Sequence, residues 1–390
     1  MMETTQIVKQ AQQMETMEDL LALLNLIKQD EAEKGGTANK FHPFTIRQLN
    51  YYCNPNHTTP RYKQFSIKKK SGGEHLITAP HNRSFKMLLH CVNTLFQAMY
   101  TPPCANAMGF TKGRSVVTNA RVHVGQNYVF NIDLKDFFPS IEQARVWKRL
   151  QLKPFNFPIQ IASILAGLCA MKVVDENDEV HYVLPQGAPT SPIITNMICD
   201  ILDRRLTGLA KRFNLHYSRY ADDITFSSMH NVYQEGGDFQ KELLRIITDQ
   251  GFTLNQNKTR LQKRGARQEV TGIIVNDKVN VTKDYARSLR NVLYIWERYG
   301  IEIASNTFNL RYREEKGHVK KNVPDIVLVI RGKLNYLRMV KGEDDPVYNR
   351  LSIKFQQLQT GPLMQDTVVS PIKDVDVDKL LTDIDGLLND

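Results

Sequence analysis

The chain has 390 residues, enough for two or three structural units and a sizeable core. Apolar residues make up 42% and charged residues 24%, which excludes wholesale disorder and collagen-like sequence, and no apolar run approaches the roughly 18 residues of a membrane span. Lys and Arg number 51 against 41 Asp and Glu, a net charge of +10, which points to a polyanionic partner without choosing between nucleic acid and membrane. The first residues, MMETTQIVKQ, lack a basic start followed by an apolar stretch, so a cytoplasmic protein is expected. Five widely spaced cysteines form no C-x-x-C pair and give no zinc or redox signal.

In chain order, 17–28 sets Leu20, Leu21, Leu23, Leu24 and Ile27 at helical spacing ahead of a Gly35-Gly36 break, and reads as a helical extension occupying 1–40. Helices are expected over 82–99, 159–171, 191–212 and 239–250. β-Branched and aromatic runs bounded by turn residues give strands at 128–133, 216–220, 224–227, 270–276 and 279–281. Such interleaving, with hairpins, is mixed α/β and not a doubly wound parallel sheet. Projected at 100° per residue, 285–300 gathers Tyr285, Leu289, Val292, Leu293 and Trp296 on one side. Arg287, Arg290, Asn291, Tyr294 and Arg298 gather on the other, a basic face for a nucleic-acid duplex or for solvent. The segment 326–341 adds Arg331, Lys333, Arg338 and Lys341. Beyond a Gly361-Pro362 break the chain alternates acid and aliphatic from Asp374 to Asp378 and ends in LLTDIDGLLND, a short acidic amphipathic helix, solvated or docking. Both ends are acidic, so the basic excess belongs to the middle.

Two acidic motifs end β-prone segments, NIDLKDFF at 131–138 and SRYADDITF at 218–226. An Asp-Asp pair at a hairpin tip crowds two carboxylates into a small volume, where repulsion is costly without a cation. A third carboxylate from a neighbouring strand completes an oxygen-rich site for Mg²⁺, and two such ions about 3.5–4 Å apart suit in-line phosphoryl transfer. Taken alone, an Asp-Asp dipeptide is most often a turn. Between the two motifs, LPQGAPTSP at 184–192 is a Gly/Pro loop opening onto a helix that starts at Ser191-Pro192.

The ordered set DLKDFFPS, LPQGAPTSP, YADD and GFTLNQNKT resembles the palm motifs of reverse transcriptases over roughly 41–355. NARVH at 119–123 and VTG at 270–272 narrow the resemblance to bacterial retron reverse transcriptases. That resemblance implies an α+β right-hand polymerase fold: fingers and a palm with an antiparallel sheet over 41–280, a helical thumb over 281–358, and an acidic tail over 359–390. It implies Asp133, Asp222 and Asp223 as catalytic carboxylates that share one cage, none of them tied up in an ordinary buried ion pair. They and the Leu134 carbonyl would hold two Mg²⁺ ions, with Asp136 outside the ligand set. Phe138 falls where the family keeps a bulky ring under the nucleotide sugar, which implies DNA and not RNA as product; a core aromatic is the alternative. Gln186 falls at the nucleotide sugar and template pair, and Lys258 at the departure of pyrophosphate.

In the fingers, 65–77 resembles the hairpin that grips the triphosphate, with Lys69 and His75 as contacts; relatives usually carry Arg where His75 stands, and imidazole lacks the bidentate fork for phosphate. Asn119, His123, Val270, Thr271 and Gly272 of the two retron motifs, with Arg287, Arg290 and Arg298, fall to RNA binding, although Asn119 and His123 one turn apart equally fit a capped helix. The resemblance further implies a cognate structured non-coding RNA as template and primer. The product would be single-stranded DNA, made from dNTPs and joined to that RNA through a guanosine 2′-hydroxyl. A role in anti-phage defence with a separately encoded effector protein, and no membrane, completes the expectation. Its rivals are another bacterial reverse transcriptase, of the group II intron or diversity-generating type, and a non-catalytic RNA-binding scaffold for an effector.

Overall fold

The computed structural model describes residues 3–35, 41–56, 61–68, 74–316 and 324–360. The chain divides into two compact units, one built from Met1–Ile67 with Glu74–Thr271 and the other from Lys68–Gly73 with Gly272–Asp390. The first unit opens with helices α1 (Thr4–Gln12) and α2 (Met17–Lys34). Thr16 caps α2: its hydroxyl accepts the Asp19 N–H while the Asp19 carboxylate takes the Thr16 N–H at 2.9 Å, a reciprocal box. Leu20, Leu23, Leu24 and Ile27 are buried in the same core as the rest of the unit, so these helices are part of the body and not the appended extension expected from sequence. Helix α3 (Ile46–Cys53) follows, then the hairpin β1 (Tyr62–Lys68) and β2 (Glu74–Pro80), then α4 (Arg83–Met99), whose first turn is capped by Asn82. Phe85, Leu88, Leu89, Val92, Leu95 and Phe96 form its wholly buried stripe.

A short α5 (Val116–Arg121) precedes β3 (Tyr128–Asp133), α6 (Gln143–Leu150) and α7 (Ile159–Cys169). The expected helix over 159–171 ends early, because Met171 begins a hairpin, β4 (Met171–Val174) with β5 (Val180–Val183), closed by Asp175 accepting the N–H groups of Asn177 and Glu179. The long α8 (Ser191–Arg212), β6 (His216–Tyr220), β7 (Asp223–Ser228), α9 (Asp238–Asp249), a 3₁₀ turn Gln256–Lys258, β8 (Arg260–Lys263) and β9 (Glu269–Val270) complete the unit. The central sheet is antiparallel in the order β6-β7-β3-β8. Its register pairs Ile132 with Ile224, Phe130 with Phe226 and Asn131 with Thr225, so the apolar and polar residues of neighbouring strands share faces. Phe226 and Phe130 lie against Phe239 of α9 on the apolar face, each buried ring contributing on the order of 1.5–3 kcal/mol. The polar face carries Asn131, Thr225, Ser218 and, at the strand ends, the acids.

The second unit is helical: α10 (Lys283–Lys316), broken at Gly300 (φ 83, ψ 167), α11 (Ile326–Lys341) and α12 (Pro346–Thr360). Leu289, Leu293, Ile330, Leu334, Leu337, Leu351 and Phe355 make its core, with the Trp296 ring edge-on to Phe355. The strand expected over 270–276 is interrupted, since Thr271 (φ 47) and Gly272 (φ 81) form a left-handed turn. Among the described residues, no helix is long and apolar enough to cross a membrane. The tail 361–390, Lys69 and the Gly72-Gly73 turn lie outside the described residues, and of His75 only the backbone, in β2, is described.

Candidate active site

Alternation along the sheet decides where the acids stand. Asp133 is the last residue of β3 and faces Asp223, the first residue of β7, directly across the ladder. Asp222 occupies the turn between β6 and β7, after Ala221 in a left-handed conformation (φ 57). The Leu134 N–H donates to the Asp222 carbonyl at 3.1 Å, which pins the turn to the end of β3. Like charges opposite one another on a ladder are destabilising, so the fold holds these carboxylates together against their own repulsion.

The electrostatics record that repulsion. Burial first, then the Asp133 carboxylate within hydrogen-bond reach, raises the pKa of Asp222. Asp223 lies at an exposed position, yet the protein around its carboxylate, followed by the charges of Asp222 and Asp133, raises it to about 6. Asp133 is 4% exposed; its Oδ2 accepts from Lys258 Nζ at 2.8 Å and its Oδ1 from Asn255 Nδ2 at 3.1 Å. This ion pair departs from the expectation that none of the three acids would be so engaged. The Lys258 side chain as a whole is 59% exposed, however, so it reaches the buried Asp133 carboxylate from the solvent side. The ligand atoms of the three acids do not all lie within 4.8 Å of one another. Among the described residues, the group of three such side chains whose ligand atoms all lie within 4.8 Å of one another is Asp175, Glu179 and His181 on the β4–β5 hairpin. At the strand ends, the Asp133 and Asp222 carboxylates lie within hydrogen-bond reach of each other, and Asp223 faces Asp133 across the ladder. Hard oxygen donors in mutual repulsion are nevertheless a donor set that fits a divalent cation.

Around the acids, Phe138 is half-buried, its ring 5.6 Å from Phe137 and 6.3 Å from Phe110. Asp136 is an exposed turn residue (φ 47) whose carbonyl accepts from the Ser140 N–H at 2.8 Å. The Gln186 carbonyl accepts the Thr78 N–H of β2 at 2.8 Å. Gly187 (φ 125) follows, and a Cβ there would stand 2.4 Å from the Thr78 carbonyl oxygen, so the loop lies flat on the hairpin only because it has no side chain at this point.

The structure corrects the RNA-binding assignment of Asn119, His123 and Val270, which are 1%, 0% and 0% exposed. His123 places one ring nitrogen 2.7 Å from Ser218 Oγ on β6 and the other 2.7 Å from Ser227 Oγ on β7. Burial lowers its pKa to about 3, so the ring is neutral. Asn119 Nδ2 donates to Thr271 Oγ1 at 3.4 Å. These residues brace the sheet from within. Thr271 is half-buried and Gly272 exposed. On α10, Arg287 and Arg290 are half-buried and Arg298 exposed, while Asn291, assigned by projection to the basic face, is 5% exposed and sits with the core side.

Sequence reasoning missed Arg219, which is wholly buried two residues before the turn. Its Nε and Nη2 donate to the two oxygens of Asp203 on α8 at 2.7 Å each, Nη2 also to Asn196 Oδ1 at 3.1 Å, and Nη1 to the Ala221 carbonyl at 3.0 Å. Tyr217 donates its hydroxyl to the same Asp203 at 2.7 Å. The bidentate fork thus anchors the acid-bearing turn to α8. An Arg inside a β-prone run and an Asp inside an apolar helix were the available signals.

Comparison with known proteins follows the same outline. The family model described as reverse transcriptase (RNA-dependent DNA polymerase) matches residues 67–280. The Retron Mx65 reverse transcriptase of Myxococcus xanthus is 35% identical over 62% of this chain and 57% of its own length. The Retron Mx162 reverse transcriptase of the same organism is 33% identical over 61% and 53%, and the Retron Ec86 reverse transcriptase of Escherichia coli is 33% identical over 59% and 68%. The chain therefore spans little more than half the length of the two Myxococcus relatives.

Proposed function

The chain belongs to the reverse transcriptase family, and within it to the retron reverse transcriptases, and from this premise we propose that it is a cytoplasmic RNA-directed DNA polymerase. It copies part of a cognate structured non-coding RNA, its template and primer, into single-stranded DNA that stays joined to the RNA. Residues 41–280 act as fingers and palm and 281–358 as thumb. The observation that carries this reading is the meeting of Asp133, at the end of β3, with Asp222 and Asp223 at the β6–β7 turn.

Reverse transcriptases as a family use divalent metal ions. In this chain Asp133 and Asp222, with Asp223 and the Leu134 carbonyl, would hold two Mg²⁺ ions. When bound, these supply the Lewis acidity that activates the attacking hydroxyl and steadies the leaving oxygen. The remaining work falls to the chain's own groups. Lys258, a largely exposed side chain at the rim, can by rotation leave Asp133 and meet the departing pyrophosphate. Phe138, wedged between Phe137 and Phe110, presents a ring where a ribose 2′-hydroxyl would clash. Gln186, fixed through its backbone to β2, contacts the sugar of the incoming nucleotide. Anti-phage defence with a separately encoded effector is the biological setting we assign to this activity. Purified protein with its RNA, dNTPs and Mg²⁺ should yield labelled DNA covalently attached to RNA, and Asp222→Asn with Asp223→Asn should abolish it. Defence that persists in that double variant would leave a scaffold role instead.

A further inference from the structure

A groove of about 830 Å³ runs along the first unit between α6 and α8, beside the loop that holds Pro103 and Asn106. Its floor is aliphatic: Met197 and Ile198 are buried beneath it, while Leu152 and Ile201 stand 60% and 48% exposed at its walls. A half-exposed Leu and Ile lining one concave surface over a buried aliphatic floor form an apolar patch of the kind that marks an interaction site. Around this floor stand Lys148, Lys153, Arg204 and Lys211, all exposed. Arg149 and Asp200, which also line the groove, neutralise each other at 3.2 Å. Arg145, also in the lining, donates to the Gln250 carbonyl, and among the described residues no carboxylate forms an ion pair with Lys148, Lys153, Arg204 or Lys211. The lining of α8 from Met197 to Lys211 extends about 21 Å at 1.5 Å per residue, the length of a helix of roughly four turns.

We propose that this groove docks an acidic amphipathic helix of a partner polypeptide, its apolar stripe on Leu152, Met197 and Ile201 and its carboxylates on the four unpaired cations. A helix-lined groove with an apolar floor and a charged rim suits helix-in-groove recognition. Nucleic acid fits less well. Single strands are gripped by aromatic platforms within a basic channel, and none of the lining residues here is aromatic. A phosphate backbone would gain nothing from Leu152 and Ile201. The docking does not depend on the polymerase reaction, since none of these side chains belongs to the site at the strand ends.

The test uses the full chain and a fluorescein-labelled 18-residue peptide of Leu, Glu and Ala with leucines at i, i+3, i+4 and i+7, read by anisotropy. A scrambled peptide of the same composition and an 18-nucleotide RNA serve as competitors. Ile201→Glu puts a charge on the wall, and Gly208→Phe adds a ring at one end of the groove, at a helical position where an added Cβ meets nothing within 4 Å. Both lie on an exposed surface, and unchanged thermal melting confirms that the fold is intact. The proposal expects each substitution to weaken the amphipathic peptide at least about tenfold, roughly 1.4 kcal/mol, with the scrambled peptide at least as weak against the parent chain. Equal binding of the two peptides, or peptide binding indifferent to both substitutions, overturns it. So does an RNA affinity that falls with Ile201→Glu while peptide affinity holds, which would make the groove a nucleic-acid surface. A concentration-dependent dimer that Ile201→Glu dissolves would assign the groove to a second copy and overturn it too.

Discussion

Replacing Arg219 by Met keeps the length of the side chain and removes the guanidinium that ties the acid-bearing turn to α8. Asp203, whose side chain is 1% exposed, is then left as a buried carboxylate that keeps the Tyr217 hydroxyl as a donor, and the Ala221 carbonyl loses the Nη1 donor. Breaking one side of a buried pair costs about 3–5 kcal/mol, whereas replacing both partners by apolar groups is often close to neutral. Arg219→Met with Asp203→Leu should therefore recover at least about 2 kcal/mol of the loss, a coupling well outside the additivity of independent sites. Urea unfolding reads the first unit alone if Trp147 fluorescence is followed in a Trp296→Phe background, which matters because the two units need not unfold together. DNA synthesis should stay low in the double variant even where stability returns, because the turn still lacks its anchor. A single substitution costing under about 1 kcal/mol, or a double variant as unstable as the sum of the singles, would refute the reasoning.

His123→Ala should cost about 2–4 kcal/mol through the cavity and the two serine hydroxyls left without their ring partner, with RNA affinity in filter binding unchanged at temperatures where the variant is folded; lost affinity at full stability would return His123 to the RNA surface. Because the fold depresses His123 from 6.5 to about 3, its contribution is complete above about pH 6.5 and is lost as pH falls toward 3, an acid-side slope that His123→Gln should flatten. Asp223 has the opposite sign: raised from 3.8 to about 6, it favours the metal-free fold when protonated. That advantage disappears as pH climbs through this window, and calorimetric Mg²⁺ affinity should rise over the same range and level off above it. An affinity independent of pH would contradict this. Phe138→Val should raise ribonucleotide incorporation relative to dNTPs at least about tenfold in primer extension, and an unchanged ratio would make the ring a packing residue only.

Where alternation and turn chemistry are local, the sequence was readable. The strands Tyr128–Asp133 and His216–Tyr220 and the helix Ser191–Arg212 begin and end where the pattern changes, because each is bounded by residues that cannot continue it. The β4–β5 hairpin was hidden because Met171 prolongs the apolar run of α7 by its composition while the backbone already turns at Ala170. Direction was the other blind spot. A polar motif such as Asn119 to His123 reads the same whether it faces solvent or, as here, two serines inside the sheet. The Arg219–Asp203 pair joins a strand to a helix, and no spacing rule links them. Lys258 was assigned to the site only by the family resemblance, and its attachment to Asp133 depends on the fold of the 3₁₀ turn.

The most direct measurement is anomalous diffraction at the manganese edge from crystals of the protein with RNA template, primer and a non-hydrolysable dNTP. The account predicts two peaks about 3.5–4 Å apart, bounded by Asp133 and Asp222 and shared with the nucleotide phosphates. Peaks confined to Asp175, Glu179 and His181, or none beside Asp133 while the crystals still hold nucleotide, would contradict it.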